Sequence, residues 1–131
     1  MGLRSVDAPR ERPAPSGFHG HDAHGVDVSM TFVRPTVVVA VKPNCDGCRE
    51  FISTDRALGD DVDVVVAAEG DDVAWREARG VVIAPQLWRD LEIRSAPFYV
   101  LIDPARGLVT GEGSVFSPTQ VAAEVARRMA S

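Results

Sequence analysis

The sequence is poor in cysteine. Its 131 residues include only Cys45 and Cys48, which lie three positions apart. A disulfide framework that substitutes for a hydrophobic core needs several well-separated cysteines. A bridge between these two closes a loop so short that it adds little stability by constraining the unfolded chain. A purely structural disulfide is therefore a weak explanation for the pair.

Long apolar runs and an excess of basic residues are also absent. No stretch reaches the roughly 18 to 20 apolar residues that span a bilayer, and residues 1–6 contain no apolar segment typical of a secretory signal. Asp and Glu outnumber Lys and Arg by 19 to 14, which argues against binding to a phosphate backbone. We therefore expect no nucleic-acid partner, no membrane span and a cytoplasmic protein. An anchor or leader outside this sequence would make it extracytoplasmic.

The chain divides into an irregular start and a regular remainder. Prolines and glycines interrupt every periodic pattern in residues 1–25, which are predicted to be a disordered tail. Residues 26–131 are predicted to form one α/β domain, since apolar strands alternate with helical patterns. The β-branched run Thr36–Val41 is typical of a central strand buried on both faces. A hairpin around 103–107 adds antiparallel strands, so the sheet is predicted to be mixed.

Four helices are predicted around these strands. They follow Cys48, Asp71 or Asp72, Ala84 and Ser117. The last has the clearest boundary, because Ser117 is a natural N-cap and Pro118 suits the first helical position.

The motif Cys45-Asp46-Gly47-Cys48 follows the central strand and begins a predicted helix. A helix N-terminus has unpaired N–H groups and about half a positive charge, so it stabilises a thiolate. We expect Cys45 to attack a substrate disulfide and Cys48, one turn further on and more buried, to resolve the mixed disulfide. The pattern thus predicts a thiol–disulfide oxidoreductase that needs no cofactor.

Two other functions remain open at this point. His19, His21 and His24 form a histidine-rich tract, and together with the cysteines they would make a mixed Cys/His site in a metal-binding or metal-delivery module. The second alternative is a non-catalytic interaction domain, because a fold alone does not determine a function. The position of the CxxC motif between strand and helix favours redox chemistry, and no metal ligand is assigned.

Two stretches resemble the thioredoxin superfamily, Thr36–Phe51 (TVVVAVKPNCDGCREF) and Ile93–Gly113 (IRSAPFYVLIDPARGLVTGEG). The resemblance implies a three-layer α/β sandwich with a mixed central sheet and helices on both faces. An extra helix and short strand between Glu69 and Pro85 are most similar to TlpA-like and methylamine-utilisation-type proteins, which are commonly extracytoplasmic and membrane-tethered.

The resemblance also implies roles for individual residues. Pro97 is expected to follow a cis peptide bond and to pack against the cysteine pair, and the backbone of Ala96 is expected to pair with an extended substrate segment. Cys45 and Cys48 are then catalytic, and the substrate is a protein dithiol or disulfide, or a small thiol. The sequence leaves open whether an upstream thiol reductant, such as a thioredoxin reductase, recognises the protein. Val39 occupies the position of the buried acid that thioredoxin has on this strand.

Overall fold

A computed structural model describes residues 12–45, 47–48, 51, 61–78, 80–115 and 117–129. Within these residues the strands are β1 (Arg12–Pro13), β2 (Gly17–His21), β3 (Asp27–Thr31), β4 (Thr36–Val41), β5 (Asp63–Ala68), β6 (Val81–Ile83), β7 (Phe98–Asp103) and β8 (Leu108–Ser114). The helices with described bounds are α1 (Pro85–Asp90), α2 (Pro118–Met129) and a 3-10 helix (Val73–Arg76). No helix in this part of the chain is long and apolar enough to cross a membrane.

The described strands form one mixed sheet, in the order β1-β8-β7-β4-β5-β6-β2-β3. Strands β4, β5 and β6 are parallel, while β7 is antiparallel to β4 and β8 is antiparallel to β7. All six residues of β4 are buried, as expected for a β-branched strand covered on both faces. The predicted mixed sheet with a central strand at Thr36–Val41 is confirmed.

Apolar clusters cover both faces of the sheet and give the molecule three layers. On one face Val39 of β4 packs in a cluster with Phe51 and with Val121 and Val125 of α2. On the other face, Val38 and Ala40 of β4 pack in a second cluster with Leu87 and Trp88 of α1. The cysteine pair lies on the first face, where both cysteines pack in or against the same cluster.

At two helices, the residue that precedes the predicted helix start caps the helix. The Ser117 hydroxyl accepts a hydrogen bond of 3.2 Å from the backbone N–H of Gln120, and Asp72 accepts one of 2.9 Å from the N–H of Ala74. The helix predicted after Asp71 or Asp72 is a 3-10 helix, Val73–Arg76. Most of the helix predicted after Cys48 lies outside the described residues.

The prediction of a disordered tail over residues 1–25 is wrong for residues 12–25. Strand β1 pairs with β8, and β2 pairs with β3 along its whole length and with β6 through His21 and Ile83. The ring of Phe18 lies 6.2 Å from that of Phe32, centroid to centroid, and packs on the second core face. Residues 1–11 lie outside the described part of the chain.

An ion pair fixes β1 to the rest of the domain. The side chain of Arg12 is only 11% exposed, and its Nη1 lies 2.8 Å from Oε2 of Glu112 on β8. Its Nη2 also donates to the carbonyl of Leu91, at 2.6 Å. Composition did not reveal this segment as ordered, because its hydrogen-bond partners lie about 80 to 100 positions away in the sequence.

Candidate active site

A sharp turn at the carboxyl end of β4 places the first cysteine. Asn44 has φ of 59°, in the left-handed region that asparagine tolerates better than most residues. The N–H of Cys48 then donates to the carbonyl of Cys45 at 3.1 Å, and Gly47 and Cys48 have helical backbone. The CxxC motif therefore lies at the start of a helical turn, as predicted.

The two cysteines form a disulfide, with their Cα atoms 5.3 Å apart. Cys45 is partly exposed, whereas Cys48 is completely buried. The prediction that Cys48 is the more buried of the two is confirmed. An external thiol or disulfide therefore meets the sulfur of Cys45 first.

The Ala96–Pro97 peptide bond is cis, as the resemblance implied. The carbonyl oxygen of Ala96 lies 3.9 Å from Sγ of Cys45. A Cβ built on Gly47 would lie only 3.2 Å from Cγ of Pro97, so the glycine lets the proline ring approach the CxxC turn closely. The structure thus brings all four predicted site residues together at one end of the sheet.

A cleft of about 380 Å³ opens on the surface beside Cys45. We call it the Trp75 cleft; its lining residues are Lys42, Pro43, Asn44, Cys45, Ala74, Trp75, Glu77 and Ala78. Trp75 is 1% exposed, and its indole N–H donates to the carbonyl of Gly70 at 3.0 Å. Of these residues, sequence analysis assigned only Cys45 to the site, because the cleft depends on how the 3-10 helix packs against the end of β4.

No protein-family model matches the sequence, and no curated protein sequence matches it. Solved structures do match. DsbF of MTB aligns with a TM-score of 0.63 and 16% identity, over 88% of this chain and 98% of that one. StoA from Bacillus subtilis aligns with a TM-score of 0.62 and 16% identity, over 87% and 99%. The chain has a thioredoxin fold.

A third match extends the alignment over more of this thioredoxin fold. It is a thiol:disulfide interchange protein of the thioredoxin family from Chlorobium tepidum, with a TM-score of 0.61 and 20% identity, covering 93% of this chain and 96% of that one. Because these alignments cover nearly the whole of the matched chains, the similarity extends well beyond the CxxC turn. At these identities the likeness establishes the fold.

In the described part of this thioredoxin fold, the three histidines do not form a metal site with the cysteines. His19 and His21 lie on β2 and His24 lies in the following turn. There the carboxylate of Asp22 accepts hydrogen bonds from the N–H groups of Val26 and His24, which lower its pKa. Among the residues that the structure describes, no group of three or more His, Cys, Asp or Glu side chains is placed to hold a metal ion.

Tyr99 is a buried polar group on the same face of the sheet as the cysteines. It lies opposite Val39 in the β4–β7 ladder and is 1% exposed. Its hydroxyl has no hydrogen-bond partner among the described residues. Burial raises the pKa of Tyr99, and the nearby guanidinium of Arg128 partly opposes this effect.

Alkaline titration is expected to show this shift directly, because Tyr99 is the only tyrosine. Its tyrosinate absorbance should appear with a midpoint above the ordinary value of 10.0. Since the folded state favours the neutral phenol, its contribution to stability is complete below about pH 10 and is lost as the pH rises through the folded pKa. Tyr99→Phe is the control and should remove the transition. A midpoint at or below 10.0 would contradict the burial of the hydroxyl.

Proposed function

We propose that the protein is a thiol–disulfide oxidoreductase, with Cys45 as the attacking thiolate and Cys48 as the resolving thiol. The observation that carries the proposal is the disulfide between a partly exposed and a fully buried cysteine, with the partly exposed Sγ of Cys45 3.9 Å from the carbonyl oxygen of Ala96. A structural disulfide would gain nothing from this asymmetry. An exchanging pair requires it, because one sulfur must reach the substrate while the other stays within the protein.

The exchange consists of two substitutions at sulfur. In the reduced protein, the thiolate of Cys45 attacks one sulfur of a substrate disulfide, which forms a mixed disulfide and releases the first substrate thiolate. The thiolate of Cys48 then attacks Sγ of Cys45, which forms the internal disulfide and releases the second substrate thiolate. Two electrons pass to the substrate, and the reverse sequence oxidises a substrate dithiol. In reductive turnover a thiol reductant must restore the two thiols of the protein.

Ala96 and Pro97 are proposed to bind the substrate. The carbonyl of Ala96 lies 3.9 Å from the attacking sulfur, so a substrate main chain that runs past Cys45 also passes this segment. An extended peptide can pair with such a partly exposed segment like an added strand, which fixes its direction without reading its sequence. This geometry fits a polypeptide substrate. Among the similar structures, DsbF of MTB is described in mixed oxidised and reduced forms, and the Chlorobium protein is described as a thiol:disulfide interchange protein.

The reduction potential of the Cys45–Cys48 couple tests the proposal. The full chain is equilibrated in glutathione buffers, quenched in acid and alkylated, and the reduced fraction is measured from the mass shift. We expect a potential between about −270 and −120 mV, the range of disulfide-exchanging proteins. A potential below about −300 mV is typical of a structural disulfide and would overturn the proposal.

A further inference from the structure

Strand β3 forms one edge of the described sheet. It pairs with β2 along its whole length, and no other described strand pairs with it. Natural edge strands usually carry a lysine, a proline or a β-bulge, each of which hinders the addition of another strand. β3 has none of these: its sequence is DVSMT, its register with β2 is continuous, and Asp27 is its one charged residue. Within the described structure the edge is therefore open to a further strand.

Every second residue of β3 directs its main-chain hydrogen-bonding groups away from the sheet. At the two ends of the β2–β3 pair, the N–H of Asp22 donates to the carbonyl of Val26, and the N–H of Phe32 donates to the carbonyl of Ser16. Bonded pairs alternate along an antiparallel ladder, so the even-numbered residues of β3 bond to β2. The N–H and C=O groups of the odd-numbered residues therefore point outward. These exposed residues are Asp27, Ser29 and Thr31.

A second copy of β3 fits this edge when the two strands run antiparallel about Ser29. All five residues of each strand then face the other copy, and the outward-pointing groups form about six main-chain hydrogen bonds. Asp27 of each copy lies opposite the partner's Thr31, which is neutral and carries a hydroxyl donor. A register centred on Asp27 would instead place two carboxylates opposite each other, and registers centred on the other residues of β3 pair a shorter stretch.

The apolar side chains of β3 also match in this register. Val28 and Met30 are half-buried on one face of the strand, where Met30 packs against the cluster that contains Trp88. Each Val28 lies opposite the partner's Met30, at a position without ladder hydrogen bonds, where facing side chains approach most closely. Val26 and Val33, which are 60% and 78% exposed, flank β3 and lie beside the ends of the partner strand. Pairing thus removes apolar surface from water along the whole strand.

The charge of the chain does not prevent this contact. Each copy has a formal net charge of −5 at pH 7, so two copies repel each other at long range. At the interface, however, the two Asp27 carboxylates are about 14 Å apart, because four residues of extended strand separate them. This distance exceeds the Debye length of about 8 Å at physiological ionic strength. We therefore expect added salt to strengthen the association by screening the overall repulsion.

We propose that the protein binds a second copy of itself by antiparallel pairing of β3 about Ser29, which joins the two sheets into one. The two-fold axis passes between the paired serines, so the contact is closed and does not propagate into a filament. Strand β3 runs in the same direction as β4, since β2 is antiparallel to β3 and β6, and β6 is parallel to β5 and β4. The two cysteine pairs therefore lie at opposite ends of the joined sheet, and thiol exchange does not depend on the association.

Sedimentation velocity of the full chain tests the association. An interface made of a single pair of strands is at the small end for specific contacts, so we expect a dissociation constant of about 10 to 100 µM. Dithiothreitol is present throughout, because a disulfide between Cys45 of two copies would also give a dimer. A chain that remains monomeric at about 500 µM would overturn the inference and leave the edge to a strand of a different protein.

A lysine at the two-fold axis is expected to disrupt the dimer. Ser29→Lys places two like charges opposite each other and should raise the dissociation constant at least about 10-fold. Ser114→Lys makes the same change at an exposed position of β8, which is separated from β3 by five other strands, and should leave the constant within about 2-fold of the wild-type value. Urea unfolding of both variants verifies that the fold is retained.

Charges introduced at Thr31 test the register. Thr31→Lys faces the partner's Asp27 twice by symmetry and should lower the dissociation constant about 5-fold, whereas Thr31→Asp should raise it at least about 5-fold. Ser114→Lys controls for the change in net charge, and both effects should shrink in about 1 M salt. A dimer whose dissociation constant responds to none of the changes at Ser29 and Thr31 uses another surface and would overturn the inference.

Discussion

Replacing Cys45 with serine is expected to abolish the reduction of insulin disulfides by the protein, with a loss of at least about 100-fold. The serine hydroxyl does not ionise near neutral pH and does not form a disulfide, so the first substitution at sulfur cannot occur. Cys48, which is fully buried, cannot take over the attack on an external disulfide. The measurement is the turbidity of reduced insulin with dithiothreitol as donor, corrected for the rate without protein.

The Cys48→Ser protein is the matched comparison, because it also lacks one sulfur but retains the exposed one. It is expected to perform the first step and then stop, so a mixed disulfide between Cys45 and the substrate accumulates and is detected by mass spectrometry. Correct folding of both variants is checked by their unfolding transitions. Insulin reduction at the wild-type rate by Cys45→Ser, or trapping of substrate on Cys48 rather than Cys45, would show that the roles are wrongly assigned.

Local sequence patterns, formed by residues next to each other in the chain, predicted the structure well. The strand at Thr36–Val41 has the predicted bounds because a run this short, in which most residues are β-branched, favours a buried strand over a helix. Ser117 and Pro118 predicted the start of α2 for a similarly local reason, since a cap acts within one helical turn. The CxxC motif could be placed at the carboxyl end of β4 because it comes shortly after that strand in the sequence.

Features that depend on packing between distant segments could not be predicted in the same way. The Trp75 cleft requires the 3-10 helix to lie against the turn after β4, and nothing in the spacing of Trp75 from Cys45 indicates this contact. The approach of Pro97 to Gly47 is likewise visible only once the chain is folded, although resemblance to a known superfamily had implied that Pro97 lies near the cysteines. Resemblance supplied what the composition and periodicity of the chain did not.

The ion pair between Arg12 of β1 and Glu112 of β8 provides a sensitive test of the order found in residues 12–25. Arg12→Met is expected to lower the free energy of unfolding by about 3 kcal/mol, because it removes the guanidinium from a hydrogen-bonded ion pair with a largely buried carboxylate. The Glu112 side chain is only 12% exposed, so water compensates little. Urea unfolding measures the loss, and Arg89→Gln, at an exposed position on α1, should cost less than about 0.5 kcal/mol.

Deletion of residues 1–25 is expected to have a larger effect, with a loss of more than about 4 kcal/mol or no cooperative transition at all. The truncation removes β1 and β2, and it leaves β3 without its ladder partner in the described sheet. It also uncovers Phe32, which is 5% exposed and packs against Phe18. Urea unfolding followed by circular dichroism makes the measurement. A disordered segment could be removed with no change in midpoint, so an unchanged midpoint would show that these residues contribute nothing to the fold.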